Sequence, residues 1–165
     1  MEKRMLPLLI FFLILIPLTA LGGKEQPGLT PLPQGFGVAV SVDRPEYATR
    51  LEPFEPPTIQ MELRVFNNSD QVVSLEFTSG QQFDFLIRDS NGRLIWRWSE
   101  GKFFIQILGM LTLAPGESQT FSASHRFADN QNGPMPEGLY TVTGRLASPS
   151  SRVEGKTTFS HVHLF

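Results

Sequence analysis

The feature that most restricts this chain is an alternation of apolar and polar residues with a period of two. A strand points successive side chains to opposite faces, so such a row lays its apolar members on one side of a sheet. The row is densest across residues 79–106, SGQQFDFLIRDSNGRLIWRWSEGKFFIQ. Phe83, Phe85 and Ile87 share one strand face. Asp89-Ser90-Asn91-Gly92 is a turn, because Asp and Asn bond their own backbone and Gly accepts positive φ without a steric penalty. Leu94, Trp96 and Trp98 then alternate with Ile95 and Arg97 on a returning strand. Ser99-Glu100-Gly101 turns again before Phe103. Aromatic rings contribute much core area here.

The same reading extends along the chain. Residues 36–42 place Phe36, Val38, Val40 and Val42 on one face. Residues 44–57 read as a loop, because Pro45, Pro53, Pro56 and Pro57 cannot all sit in a hydrogen-bonded ladder. Ile59, Met61, Leu63 and Val65 alternate with Gln60, Glu62 and Arg64, and Val73, Leu75 and Phe77 mark the next strand. Residues 103–113 are uncharged, largely apolar and lack a helix cap, so they read as a buried strand with a break at Gly109. Ala114-Pro115-Gly116-Glu117 is a turn. Phe121, Ala123, His125 and Phe127 share a strand face, residues 129–138 form a loop, and Tyr140, Val142, Gly144 and Leu146 form another row. A Ser/Pro turn at 148–151 precedes a last strand at 157–164. No amphipathic helical period appears beyond residue 34. Eight or nine short strands at this spacing predict an all-β antiparallel β-sandwich with Greek-key connections, a barrel being the other way to close such a sheet. Tyr140, entering its strand behind Pro136-Glu137-Gly138, is either a tyrosine corner tied to upstream backbone or an ordinary core tyrosine.

The 165 residues suit one domain, residues 35–165, with an appendage. Cysteine is absent, which excludes disulfides, thiolate metal sites, a cysteine nucleophile and a lipidated N-terminal cysteine. A pI near 5.9 argues against a nucleic-acid partner. Glu2-Lys3-Arg4 followed by an almost wholly apolar run to Leu21 predicts a signal peptide or membrane anchor over residues 1–22, cleavage being favoured because the run is short and carries Pro7 and Pro17. Residues 23–34 read as a proline-rich linker. This segment predicts an extracytoplasmic protein, secreted, periplasmic or attached to the cell envelope, touching membrane only through an uncleaved N-terminus.

The chemistry of catalysis is mostly missing. There is no G-x-S-x-G, no H-E-x-x-H and no phosphate loop, so no catalytic residue, metal ligand or cofactor site is assigned. His161 and His163 share a strand face and could chelate a metal with a third ligand, but two histidines on a half-exposed terminal strand is the favoured reading. His125, on an apolar face, reads as a hydrogen-bonded core histidine. Asp84 and Asp89 point to opposite faces, a poor acid–base pair. Asp89 reads as a turn-former, and Asp84 as a solvent-face residue rather than a loop cap. Trp96 and Trp98 read as core, although such stripes also anchor interfaces. Asn67-Asn68-Ser69 matches the N-x-S glycosylation pattern, a weak signal in a turn of this composition.

Phe83-Asp84-Phe85, Asp89, Gly92, Ile95-Trp96-Arg97-Trp98-Ser99, Gly101, Phe104 and Gln106 together resemble the core motif of the BsuPI-type intracellular proteinase inhibitor family. Val65-Phe66-Asn67-Asn68-Ser69, Leu113-Ala114-Pro115-Gly116-Glu117 and Gly138-Leu139-Tyr140 fit in the same order, so the resemblance covers about residues 59–146. His125 departs from it, standing where the family tends to carry an aromatic residue. The resemblance implies an immunoglobulin-like domain without enzymatic activity that binds, and inhibits, a serine (subtilisin-like) proteinase. Surface loops would make the contact, with residues 44–57 and 129–138 as candidates. The competing reading is a non-inhibitory envelope module that binds a protein or a glycan.

Overall fold

The computed structural model describes residues 34–149 and 153–165. Ten strands follow one another: β1 (Phe36–Val42), β2 (Glu46–Arg50), β3 (Thr58–Asn67), β4 (Val73–Phe77), β5 (Phe83–Arg88), β6 (Leu94–Arg97), β7 (Gly109–Leu113), β8 (Ser118–Arg126), β9 (Gly138–Leu146) and β10 (Glu154–Leu164). No helix occurs among the described residues. The signal or anchor expected at 1–22 and nearly all of the linker expected at 23–34 lie outside them.

The period-two pattern is realised most clearly in β3. Ile59, Met61, Leu63 and Val65 are fully buried, while the residues between them are exposed. Full burial of side chains this size is worth about 1.5–3 kcal/mol each. One sheet has the order β1-β3-β8, a second β2-β10-β9-β5-β6, and β4 pairs with β7 in a short two-stranded piece. β1 packs across β10 and β9, and β3 across β9, so the first two sheets face each other as a sandwich. Phe127 sits in the middle of the core, its ring edge-on to Tyr140 (4.9 Å), Phe159 (5.4 Å) and His161 (5.1 Å). Tyr140 is a tyrosine corner: its hydroxyl donates to the Pro136 carbonyl at 2.7 Å.

Three local expectations are corrected. Residues 44–57 are not all loop, because Pro45 and Pro53 bracket β2 rather than interrupt it. β2 is an edge strand that needs partners on one side only, and it pairs parallel to β10 in an otherwise antiparallel fold. On β6, a bulge leaves Ile95 as the extra residue: Ile87 faces Trp96 and Arg88 faces Leu94. The bulge breaks the alternation, so Leu94 turns outward while Ile95 and Trp96 pack on the core. Residues 103–113 are not one buried strand. Only β7 is strand, and Phe103, Ile105, Ile107 and Leu108 are exposed.

At Gly144 the side chains of the facing sheet come close to the β9 backbone. A Cβ there would lie 2.8 Å from Val40 Cγ2, 3.1 Å from Phe85 Cε1 and 3.2 Å from Leu63 Cδ1. Those neighbours belong to three different strands, so none can yield alone. Gly144→Ala is therefore expected to destabilise the domain by about 1–3 kcal/mol, read as a lower urea midpoint with an unchanged slope.

Candidate functional site

Two features at one end of the sandwich define the candidate site. The first is a buried carboxylate. Asp84 lies on β5, a central strand between β9 and β6, and is 1% exposed. It was expected on a solvent face. Instead, the outer face of β5 is roofed by arginine side chains from both neighbouring strands. Arg97 Nε donates to Asp84 Oδ2 at 2.7 Å and Arg145 Nη2 donates to the same oxygen at 3.2 Å. Ser99 closes the shell, its amide donating to Oδ1 (3.1 Å) and its hydroxyl to Oδ2 (3.0 Å). A charge buried this far from water is tolerated because it is both paired and hydrogen-bonded. A cleft of about 420 Å³ opens beside it, lined in part by Gln81, Arg145 and Glu154.

The second feature follows directly from the first. By holding Ser99, Asp84 sets the start of the turn that ends β6, in which Glu100 N bonds Arg97 O and Lys102 N bonds Ser99 O, both at 3.2 Å. Gly101, at φ 71°, completes that turn. Trp98 is pressed on Phe83 at 4.3 Å between ring centroids. Its ring is met by the Lys102 ammonium at 3.9 Å and by Phe104 at 5.7 Å. The chain then runs through residues 103–108 without joining a sheet. Ile105 O accepts from Gly80 N at 2.8 Å, which anchors the segment at its middle. Between and beyond these anchors Phe103 is fully exposed, Ile105 is 71% exposed and Leu108 82%. Apolar side chains displayed in series on an anchored backbone make this segment the candidate contact surface.

The loops expected to carry recognition, 44–57 and 129–138, lie at the other end. Neither carries a large exposed apolar side chain, and their backbone is heavily engaged. Arg50 and Glu55 exchange backbone bonds at 3.1 and 2.9 Å, while Asp129 Oδ1 takes the amides of Gln131 and Gly133.

The histidines are placed by packing. His161 is fully buried rather than half-exposed. Its Nδ1 lies 3.0 Å from the Pro136 carbonyl and so carries the proton, leaving Nε2 to accept from the Thr49 hydroxyl at 2.8 Å. Burial holds this ring below its usual pKa. His163 Nε2 donates to the Met135 carbonyl at 2.8 Å. The two rings share a face, 5.3 Å apart, but both nitrogens of His161 are committed to protein partners. Among the described residues no group of three or more His, Asp or Glu is arranged to hold a metal ion. His125 is fixed by stacking rather than by the expected hydrogen bond: its ring lies 4.4 Å from Trp96 at 20°. It thus fills an aromatic position as an aromatic ring. Asn67 of the N-x-S pattern is buried, its amide donating to Gln71 O and Leu113 O, so the pattern is structural. Asp89 is the expected turn-former, Oδ1 taking the amides of Asn91 and Arg93.

The sandwich displays an apolar segment at one end, and the side chains of Asp84, Asn67 and His161 are engaged in internal hydrogen bonds. The sequence profile of the BsuPI family, described as an intracellular proteinase inhibitor, matches residues 47–151. The chain belongs to that family. No curated protein sequence matches it significantly. Among solved structures it is similar to a β-glucosidase from Erythrobacter marinus (17% identity, TM-score 0.43, 77% of this chain and 15% of that one). It is also similar to the Pseudomonas fluorescens alkylpurine DNA glycosylase AlkC bound to abasic-site DNA (12%, 0.45, 78% and 30%). A third is the sporulation control protein of Bacillus subtilis (12%, 0.44, 81% and 51%). The chain spans about half or less of each of these proteins. The family's description as intracellular overturns the extracytoplasmic placement expected from residues 1–22. No helix among the described residues is long and apolar enough to cross a membrane.

Two predictions follow from this geometry. Asp84→Ala leaves two guanidinium groups and Ser99 without their acceptor, and is expected to cost about 2–3 kcal/mol in urea unfolding, the arginines' partial exposure softening the loss. His125 is held neutral by burial, its pKa lowered to about 4. The unfolded chain binds a proton near pH 6.5, which the folded chain refuses until about pH 4. The stability His125 contributes is therefore complete above pH 6.5 and drains as pH falls towards 4. His125→Phe is expected to lose less stability than the wild type between pH 7 and 4.5, measured by urea midpoints at each pH.

Proposed function

We propose that this domain binds a serine proteinase of the subtilisin type and blocks its cleft, using the apolar segment at residues 102–108 as the contact. The observation that carries the reading is the display of Phe103, Ile105 and Leu108 to solvent on a backbone anchored at Trp98 and Gly80, in a member of a proteinase-inhibitor family. Covering an apolar side chain of this size is worth about 1.5–3 kcal/mol. Several together supply much of what a tight complex needs, although loss of translational and rotational freedom on association takes a share. Anchoring matters because a segment already held in place loses less entropy on docking. The domain acts as a plug: it supplies surface, and the chemistry belongs to the proteinase.

The same surface favours a protein partner over a glycan, since sugar hydroxyls would leave exposed Ile and Leu side chains unmatched. The test is inhibition of subtilisin cleavage of a chromogenic peptide by the purified full chain. Saturable inhibition is expected, and Ile105→Asp combined with Leu108→Asp should weaken it more than tenfold, a loss of about 1.4 kcal/mol, with the fold unchanged by circular dichroism. Failure of the wild-type chain to inhibit at micromolar excess overturns the reading.

A further inference from the structure

We infer that Phe103 is the side chain that enters the primary specificity pocket of the partner proteinase, so that the partner is one that cleaves after aromatic or large apolar residues. This rests on the inhibitory reading and adds to it the residue and the substrate class. A proteinase cleft recognises an extended backbone by strand-like pairing and one protruding side chain by a pocket. An occupant must therefore offer both: a side chain clear of its own protein, and neighbouring backbone groups left unpaired.

Four exposed apolar residues of the segment, Phe103, Ile105, Ile107 and Leu108, compete for this role, and Ile107 fails because its amide is spent on the Ile105 carbonyl at 3.1 Å. Ile105 fails on its backbone, because its carbonyl already accepts from Gly80 N at 2.8 Å and Ile107 N at 3.1 Å. Its Cγ1 also lies where a Cβ on Gly80 would meet it at 3.2 Å, so it leans on its own protein. Leu108 fails on its C-terminal side, because Gly109 begins the β7 ladder and pairs with Phe77. Phe103 meets both conditions. Its side chain is fully exposed. Its amide and carbonyl make no backbone hydrogen bond among the described residues. The residues on either side, Lys102 and Phe104, both turn onto the Trp98 ring. Two inward neighbours holding one outward ring is the arrangement that presents a side chain at fixed height and angle. Trp98 is itself seated on Phe83, and Ser99 on Asp84, so the presentation is rooted in the sandwich.

The charge of the surroundings agrees. Lys102 lies beside Phe103 but spends its ammonium on the Trp98 face at 3.9 Å. The residue offered outward is therefore neutral and aromatic, which suits an apolar pocket and not one floored by a carboxylate.

The experiment measures inhibition of subtilisin, chymotrypsin and trypsin by the full chain, by Phe103→Ala and by Phe103→Arg. Phe103 touches little of its own protein, so both variants should unfold at the wild-type temperature. The expected result is inhibition of subtilisin by the wild type, shared by chymotrypsin, and weak or no inhibition of trypsin. Phe103→Ala should weaken that inhibition by about 30-fold or more, as for a central anchor residue. Phe103→Arg should lose it and gain inhibition of trypsin. Wild-type inhibition that neither variant changes overturns the assignment of Phe103 while leaving the inhibitory reading standing. Absence of subtilisin inhibition by the wild type overturns both.

Discussion

The organisation of the end of the sandwich that carries the candidate site depends on one buried carboxylate. Asp84 sits on a central strand, within reach of two arginines on the flanking strands and of Ser99 just past the end of β6. Asp84 supplies the charged acceptor that holds both guanidinium groups over the outer face of β5. The same carboxylate pins Ser99, which sets the turn, which sets Trp98 and Lys102. A residue that looks like an ordinary surface charge therefore controls the geometry of a segment twenty residues further on.

The molecule divides its aromatic residues between two tasks. Phe85, Phe127, Tyr140 and Phe159 lie in the core between the sheets, the last three joined to one another by edge-on and stacked contacts. Phe83, Trp98 and Phe104 form a ramp leading outward from that core. Phe103 stands at its outer end. The exposed segment is thus joined to the core by ring contacts through Phe83, Trp98 and Phe104. On the inhibitory reading proposed above, anchoring of the segment would lower the entropy lost on docking.

The histidines illustrate how tertiary context redirects residue chemistry. His161 and His163 lie two apart on one strand, as a chelating pair would, yet the Pro136 and Met135 carbonyls and the Thr49 hydroxyl take their nitrogens. The loop that supplies those carbonyls is the one closed by the tyrosine corner at Tyr140. A single loop thus satisfies both the corner hydroxyl and the terminal strand. His125 is read by the fold as a flat ring and nothing more, which accounts for its tolerance in an aromatic position.

What the sequence determined by itself was the scaffold: the strands, their buried faces, the turns at 89–92 and 114–117, and the motif that marks the family. These are set by period-two alternation and turn chemistry, which act over a few residues and can be read without knowing neighbours. The display of residues 103–108 was hinted at by the adjacent pairs Phe103-Phe104 and Ile107-Leu108, which no half-buried strand accommodates, but uncharged composition made them look like core. The burial of Asp84, the bulge at Ile95 and the parallel seat of β2 were decided by tertiary structure alone. Each depends on what lies across from it: Arg145 is 61 residues from Asp84, and β10 begins more than a hundred residues after β2. Pairing at such separations is settled by the packing of whole sheets, so a local pattern carries no trace of it.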